Sequence, residues 1–321
     1  MLNIQENIPL AEYTSFRIGG PAKFFVEVST KDELLEALDY AKENSLFFFI
    51  LGGGSNLLVS DQGFDGLIIK MKLNGFKIVG NSIEAESGVA LAKVVNSSIN
   101  EGLTGMEWAA GIPGTVGGAT RGNTGAYGKS IADVIKSVEA LETSKLQATR
   151  PQRLSVAMAG VANYKLQDCK YGYKDNIFKQ NPNLIVLSVK IKLQKGDKEK
   201  SQQEIREMME KRRINHPQGV GSAGCFFINP VVTDEKVIEE LKKDGIECRD
   251  GQVPAWWLID DVGLRGKKIG GAIVSEEHTN FIVNAGGATA EDIITLVSLI
   301  KQKVRNKFNI QLREEVQYLG F

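Results

Sequence analysis

The spacing of apolar and polar residues changes period several times along the chain. Residues 24–28 (FFVEV) alternate as a half-buried strand does, and Thr30-x-x-Glu33 then forms a capping-box signature. Leu34, Leu38 and Ala41 recur at helical spacing behind it, predicting a helix to about Asn44. Residues 46–51 are apolar throughout, a run with the length of a buried strand, so strand, helix and strand open a βαβ unit. The stretch 57–71 reads as strand, turn, strand, and 76–86 as a hairpin turning at Gly80-Asn81. Leu91, Val94, Val95 and Ile99 predict a helix ending near Gly102, and 138–141 and 184–193 restore strand periodicity. Ile205, Met208 and Met209 mark a helix stopped by Pro217. Beyond it come a helix near 235–243, an apolar WWLI patch, a strand at 281–284 and a helix from Ala290. Thr289 caps that last helix with Asp292 at the third position, and Ile293, Val297, Ile300 and Val304 line one face. The predicted class is mixed α/β, with a smaller α+β part at the end.

Two glycine-dense stretches interrupt this pattern. The first, Gly52, Gly53 and Gly54, follows the apolar run and leads into Ser55 and Asn56. Consecutive glycines let backbone N–H groups converge on an anion such as a diphosphate, because no side chain holds the ligand away. A tight turn between strands is the alternative reading of these three residues. Neither familiar phosphate motif fits: a P-loop ends in Gly-Lys-Ser/Thr, and a Rossmann turn needs a small residue where Leu57 stands and a helix after it. The second stretch, 109–128, carries seven glycines in twenty residues. Ordering so many glycines costs roughly 0.5–1 kcal/mol each relative to alanine, so their density implies a backbone that must approach something closely. The intervening Ile112, Pro113, Val116 and Ala126 are too apolar for a solvated linker, which favours a buried ligand over an irregular surface loop.

Composition narrows the partners. At 321 residues, 42% hydrophobic and 24% charged, the chain has room for two or three globular domains. Lysine plus arginine equals aspartate plus glutamate at 39 each, which argues against nucleic-acid or anionic-membrane binding driven by bulk charge. Cys169, Cys225 and Cys248 are widely spaced and only two histidines are present, so neither a disulfide frame nor a metal site is expected. No signal-peptide pattern and no apolar run of membrane-spanning length appear, and a cytoplasmic location is expected.

With these segments in view, the chain resembles the UDP-N-acetylenolpyruvoylglucosamine reductase (MurB) family almost end to end. The resemblance rests on TSFRIGGPA at 14–22, LGGGSNLLVSD at 51–61, AAGIPGTVGGA at 109–119, NTGAYG at 123–128, SAGCFFINP at 222–230, WLIDDVGLRG at 257–266, VSEEHTNFIVN at 274–284 and LREEV at 312–316. It implies a two-part FAD-binding domain of the PCMH/vanillyl-alcohol-oxidase type over 1–196, split near 74. A smaller α+β substrate-binding domain would follow over 197–321, with the extreme C-terminus returning to the active site. It further implies NADPH as co-substrate, a sugar-nucleotide substrate, and reduction of an enolpyruvyl ether to UDP-N-acetylmuramate in peptidoglycan precursor synthesis. Cofactor-binding positions under this resemblance are Gly52, Gly53, Gly54, Ser55, Asn56, Gly111, Ile112, Pro113, Gly114, Gly117, Gly118, Asn123 and Gly125. The FAD is expected to be non-covalent, because His216 and His278 both lie outside the N-terminal flavin domain.

Three positions carry the implied chemistry, and two depart from the family. Cys225 stands where the family's proton-donating serine is usual. A thiol with an ordinary pKa of about 8.5 is the stronger acid and can serve, although outside this frame Cys225 reads as a small buried hydrophobe. Lys174, in Tyr173-Lys174-Asp175, replaces an arginine that stabilises the substrate carboxylate, and a point charge is not equivalent to a two-pronged donor. Glu315 aligns with the family's C-terminal glutamate and is expected to share polarisation of the enolpyruvyl group with the basic residue. Tyr173 and Asn229 are candidate substrate contacts, and Ile228 stands where lysine is common. The alternatives are another FAD-dependent sugar oxidoreductase of the same fold, or a degenerate flavin or sugar-nucleotide binder.

Overall fold

A computed structural model describes residues 2–144, 160–248 and 251–321. Strands β1 (Gln5–Pro9) and β2 (Pro21–Val28) lead to α1 (Lys31–Glu43). The expected capping box of α1 is present, with Thr30 Oγ1 accepting from the Glu33 N–H at 3.1 Å and the Glu33 carboxylate accepting from the Thr30 N–H at 3.2 Å. There follow β3 (Phe48–Leu51), β4 (Leu57–Val59), β5 (Phe64–Met71), the hairpin β6 (Phe76–Val79) and β7 (Ser82–Glu86), α2 (Leu91–Asn100) and β8 (Leu103–Thr104). Next come α3 (Val116–Gly122), β9 (Gly125–Ala126), β10 (Lys129–Ser130), β11 (Ile135–Glu142), β12 (Val161–Lys165), α4 (Ile177–Gln180), β13 (Leu184–Lys192) and β14 (Gln194–Lys195). The chain continues through α5 (Lys198–Asn215), β15 (Gly221–Cys225), α6 (Glu235–Lys243), α7 (Ala255–Asp261), β16 (Lys268–Ile269), β17 (Ala272–Val274), β18 (Phe281–Asn284), α8 (Ala290–Phe308) and β19 (Gln317–Leu319).

Two sequence expectations are corrected. The apolar run 46–51 is not a buried strand: β3 begins at Phe48, Phe47 is 82% exposed, and only Leu51 is buried. In the sheet order β1-β2-β5-β3 it is an edge strand, paired in parallel with β5 alone, so one flank stays uncovered. The second glycine stretch is not a loop throughout, because 116–122 folds as α3. Val116, Ala119 and Thr120 supply a buried face at helical spacing, Thr115 caps the start, and Asn123 ends it in the left-handed region at φ 42°.

The described residues form two compact units. The first comprises those of Met1–Ile8, Lys23–Gly53 and Asp65–Arg212. Besides the β1-β2-β5-β3 sheet it contains an antiparallel sheet in the order β12-β11-β13-β7-β6. Ile185 and Leu187 of β13 pack into one apolar cluster and Leu184 and Val186 into another. The strand is therefore buried on both faces, which is why LIVL reads as a continuous apolar run instead of alternating. The charged stretch 195–200 opens α5, which stays with this unit as far as Arg212.

The second unit comprises Pro9–Ala22, Gly54–Phe64 and the described residues of Arg213–Phe321. Its antiparallel sheet runs β15-β18-β17-β16, and its core gathers Phe226, Phe227, Leu258, Ile293, Val297 and Ile300 with Phe16, Ile18 and Leu58. The last strand, β19, pairs in parallel with β4, with Gln317 opposite Leu57. Helix α8 is fixed at its start by two devices. Thr289 and Asp292 form the expected capping box, and the Asp61 carboxylate accepts from the Ala290 N–H at 2.9 Å and the Glu291 N–H at 3.3 Å. Carboxylates at a helix N-terminus satisfy orphan donors and complement the helix dipole. No helix among the described residues is long and apolar enough to cross a membrane. Replacing Asp61 with alanine is expected to lower stability by about 1–2 kcal/mol, read as a shift in the urea midpoint at unchanged slope.

Candidate active site

In the first unit the two glycine stretches pack against each other. A Cβ on Gly53 would lie 2.6 Å from the Gly114 Cα, and one on Gly52 would lie 2.9 Å from Thr115 Oγ1. The Lys70 amine donates to the Gly52 carbonyl, and burial holds that amine below its usual pKa. Alternation within β5 does not distinguish Lys70 from a surface lysine, so the sequence reading missed it. The first N–H groups of α3 are already engaged: Val116 donates to Val89 O at 2.8 Å, Gly117 to Ser87 O at 2.9 Å and Gly118 to Thr115 Oγ1 at 3.3 Å. The N–H groups of Gly53 and Gly114 donate to no group among the described residues. They are the donors left for an anion.

Some of the glycines named as cofactor contacts also have a purely internal reason. A Cβ on Gly54, at φ +66°, would fall 1.9 Å from Tyr13 O, one on Gly117 would fall 2.6 Å from Ser87 Cβ, and one on Gly125 would fall 2.6 Å from Lys129 O. Gly111, at φ +76°, lies under Met209 and Arg212 of α5, while Ile112 and Pro113 continue the turn with the Ile112 N–H on Ala109 O. Ser87 Oγ, Thr120 Oγ1 and Asn123 Oδ1 are buried without a hydrogen-bond partner, all around α3. The two hydroxyls can donate to a phosphate and Asn123 Oδ1 can accept from an O–H or N–H, so together with the glycine N–H groups they suit a polar, phosphate-bearing group that also carries donors. The residues present fit FAD on that ground.

The Tyr173-Lys174 segment belongs to the same unit and is docked on the C-terminal end of α3. Asn123 Nδ2 donates to Gly172 O at 2.7 Å, and the buried Asn176 donates through Nδ2 to Thr120 O at 3.2 Å and Arg121 O at 3.0 Å. Gly172 and Asp175 close the turn with paired backbone bonds. Lys174 sits in the left-handed region at φ 56°, with its carbonyl taken by Lys179 Nζ at 2.8 Å. A non-glycine residue there is uncommon and held by its surroundings, so the direction of this side chain is imposed. Tyr173 is 47% exposed.

In the second unit the structure brings Cys225 and Glu315 onto adjoining backbone segments. Cys225 ends β15 opposite Phe281 of β18, after a register shift between Ser222 and Cys225 and with Gly224 at φ +78°. A bulge at this place re-aims the side chain that follows it. The next residue, Phe226, accepts the Glu315 N–H at 2.8 Å, and Phe227 bridges Glu314. The Glu315 carbonyl in turn accepts Asn56 Nδ2 at 3.2 Å, and the Gln317 N–H donates to Asn56 O at 3.1 Å. Asn56, read from the sequence as a cofactor contact, thus holds the carboxylate's backbone; Ser55 precedes it in the same turn. Asn229 spends its Oδ1 on the Ala255 N–H at 3.0 Å, capping α7 where Pro254 has no side chain to do so. Cys225 and Glu315 are both half-buried, and Glu314 is tied to Lys301 at 2.8 Å.

Beside Cys225 lies an aromatic and imidazole cluster that sequence reasoning did not assign. The His216 ring stacks on Phe281 at 4.9 Å, and His278 meets Phe281 edge-on at 5.0 Å and His216 at 5.6 Å. Burial pushes the His278 imidazole down to about 4, with the neighbouring His216 acting in the same direction, and its Nδ1 has no partner.

Residues 22–144 match the FAD binding domain family model, and residues 216–319 match that of the UDP-N-acetylenolpyruvoylglucosamine reductase C-terminal domain. The class is therefore that of FAD-dependent oxidoreductases. The UDP-N-acetylenolpyruvoylglucosamine reductase of Carboxydothermus hydrogenoformans is 38% identical over 320 residues, 99% of this chain and 94% of that protein. The reductase of Alkaliphilus oremlandii is 37% identical over 314 residues, 97% of this chain and 92% of its own. The crystal structure of the enzyme from Thermus caldophilus superposes with a TM-score of 0.76 at 29% identity, covering 99% of this chain and 100% of that one. The chain belongs to the UDP-N-acetylenolpyruvoylglucosamine reductase family.

Replacing Gly53 with alanine forces the two glycine stretches apart; an overpacking cost of about 1–3 kcal/mol corresponds to roughly 5- to 150-fold weaker FAD binding, measured by flavin fluorescence titration. His278 generates a pH dependence of stability. The folded protein keeps it neutral down to about 4 whereas the unfolded chain protonates it below about 6.5, so its contribution is intact above 6.5 and lost as the pH falls towards 4. Urea unfolding at the two ends of that window is expected to differ by about 3 kcal/mol more in the parent than in His278→Gln.

Proposed function

We propose that the chain reduces the enolpyruvyl ether of UDP-N-acetylenolpyruvoylglucosamine to UDP-N-acetylmuramate with NADPH as donor, in the cytoplasm, as a step of peptidoglycan precursor synthesis. The observation that carries the reading is the Glu315 N–H bond to the Phe226 carbonyl, which sets a carboxylate and a thiol on neighbouring segments of one unit. Bound FAD supplies the hydride chemistry linking the nicotinamide to the substrate alkene. The residues of the first unit that would hold it non-covalently are Gly53 and Gly114 through their N–H groups, with Ser87, Thr120 and Asn123 as polar neighbours.

Hydride addition at C3 of the enolpyruvyl group leaves charge at C2 and on the attached carboxylate. Lys174 offsets that charge with its ammonium, as a point charge without the planar fork of arginine. Glu315 polarises the alkene so that charge develops towards C2. Cys225 then gives its Sγ proton to C2, a new C–H bond forms, and the thiolate is reprotonated from water. Tyr173 and Asn229 border the substrate's carboxylate and diphosphate.

Anaerobic reduction with NADPH followed by re-oxidation with the sugar nucleotide tests donor and acceptor together. Cys225→Ala is expected to leave reduction by NADPH nearly unchanged and to slow re-oxidation by about 10²-fold or more. Stopped-flow traces with both half-reactions unaffected would remove Cys225 from the chemistry.

A further inference from the structure

We propose that Asn280 is a positioning residue for the proton transfer, its carboxamide clamping both backbone groups of Phe227 so that Cys225 and Glu315 keep their mutual register. The inference rests on the reading of Cys225 and Glu315 given above and adds a residue to which neither the family motifs nor that reading assigns a role.

Asn280 is 3% exposed. Its Oδ1 accepts the Phe227 N–H at 2.9 Å, its Nδ2 donates to the Phe227 carbonyl at 2.9 Å, and its own backbone carbonyl accepts the Phe226 N–H at 2.7 Å. A carboxamide presents one acceptor and one donor side by side, matching the N–H and C=O of a single residue. The need for it follows from the strand. β15 stops at Cys225 after its register shift, so Phe227 has no ladder partner on the β18 side, and its buried groups must be satisfied otherwise. On the opposite flank Phe226 O accepts the Glu315 N–H, and Ile228 donates to Arg313 O at 2.9 Å. The three residues after the thiol are thus gripped between Asn280 and 313–315. Whatever loosens Asn280 loosens both reacting side chains together.

A carboxylate at this position keeps the acceptor and loses the donor, which makes Asn280→Asp the informative variant. Reduction by NADPH is expected to stay within about twofold of the parent, while re-oxidation by the sugar nucleotide slows by about 10² at about pH 8, the scale of an ångström's misplacement. Relative to the parent, the rate is expected to recover as the pH falls to about 6, because a protonated buried carboxyl restores the missing donor. A merely structural role would lower stability and both half-reactions together, with no such recovery. A second readout needs no turnover: iodoacetamide labelling of Cys225 in the flavin-loaded protein, followed by peptide mass analysis with Cys248 as internal reference. Labelling of Cys225 is expected to change by about threefold or more in Asn280→Asp and Asn280→Leu with Cys248 constant. The proposal is overturned if either re-oxidation or Cys225 labelling in Asn280→Asp stays within about twofold of the parent. Should Asn280→Leu not fold, Asn280→Asp decides alone. Should the parent not be re-oxidised by the sugar nucleotide, the functional reading fails, and the labelling ratio still decides the clamp.

Discussion

The second unit depends on one short piece of backbone pairing, the contact of 226–228 with 313–315. Two hydrogen bonds, Glu315 N–H to Phe226 O and Ile228 N–H to Arg313 O, join segments nearly ninety positions apart in the chain. They do so between residues whose side chains are core on one strand, Phe226 and Phe227 at 0% and 1% exposure, and charged on the other. The apolar strand supplies rigidity, since close-packed aromatic rings leave little room for displacement. The charged strand can then carry a half-buried carboxylate without itself being part of the core. Asn56 and Asn280 close this arrangement from two sides by bonding to backbone groups.

The first unit relies on a different constraint, the absence of side chains. Gly53 and Gly114 approach so closely that no Cβ fits between them, and the helix that follows, α3, spends its first N–H groups on 87–89 and Thr115. What remains is a small set of unspent donors on the glycine turns and a group of unsatisfied oxygens around α3. That is a site specified by backbone, and the segment bearing Lys174 is docked onto it through Asn123 and Asn176. Glycine density in the sequence therefore has two causes that the chain alone cannot separate: Gly53 is small because the Gly114 backbone lies against it and both leave an N–H unspent, whereas Gly117 and Gly125 are small because Ser87 and Lys129 crowd them.

The local elements were largely legible. Periodicity located α1, α2, α6 and α8, and the Thr30 and Thr289 caps, because those features depend on residues within one turn of each other. It failed for 46–51 and for 116–122. An apolar run does not reveal whether its strand has one neighbour or two, and two adjacent glycines conceal a helix whose stability comes from burying Val116, Ala119 and Thr120. Family motifs pointed to Cys225, Lys174 and Glu315 as single letters. They could not show that Lys174 is held in a left-handed conformation or that Asn56 grips the backbone of Glu315.

What the sequence determined by itself is most of the local elements and the family, both of which are written in short windows of the chain. Only the tertiary structure decided which distant segments share a core and which backbone groups remain unspent. Phe16, Ile18 and Leu58 complete the core of the C-terminal residues, β19 pairs with β4, and Asn280 stands in for a missing strand. The physical reason is that hydrogen-bond satisfaction and close packing are properties of the whole assembly: each buried N–H must find its partner wherever the fold brings one, and no spacing rule along the chain encodes that place.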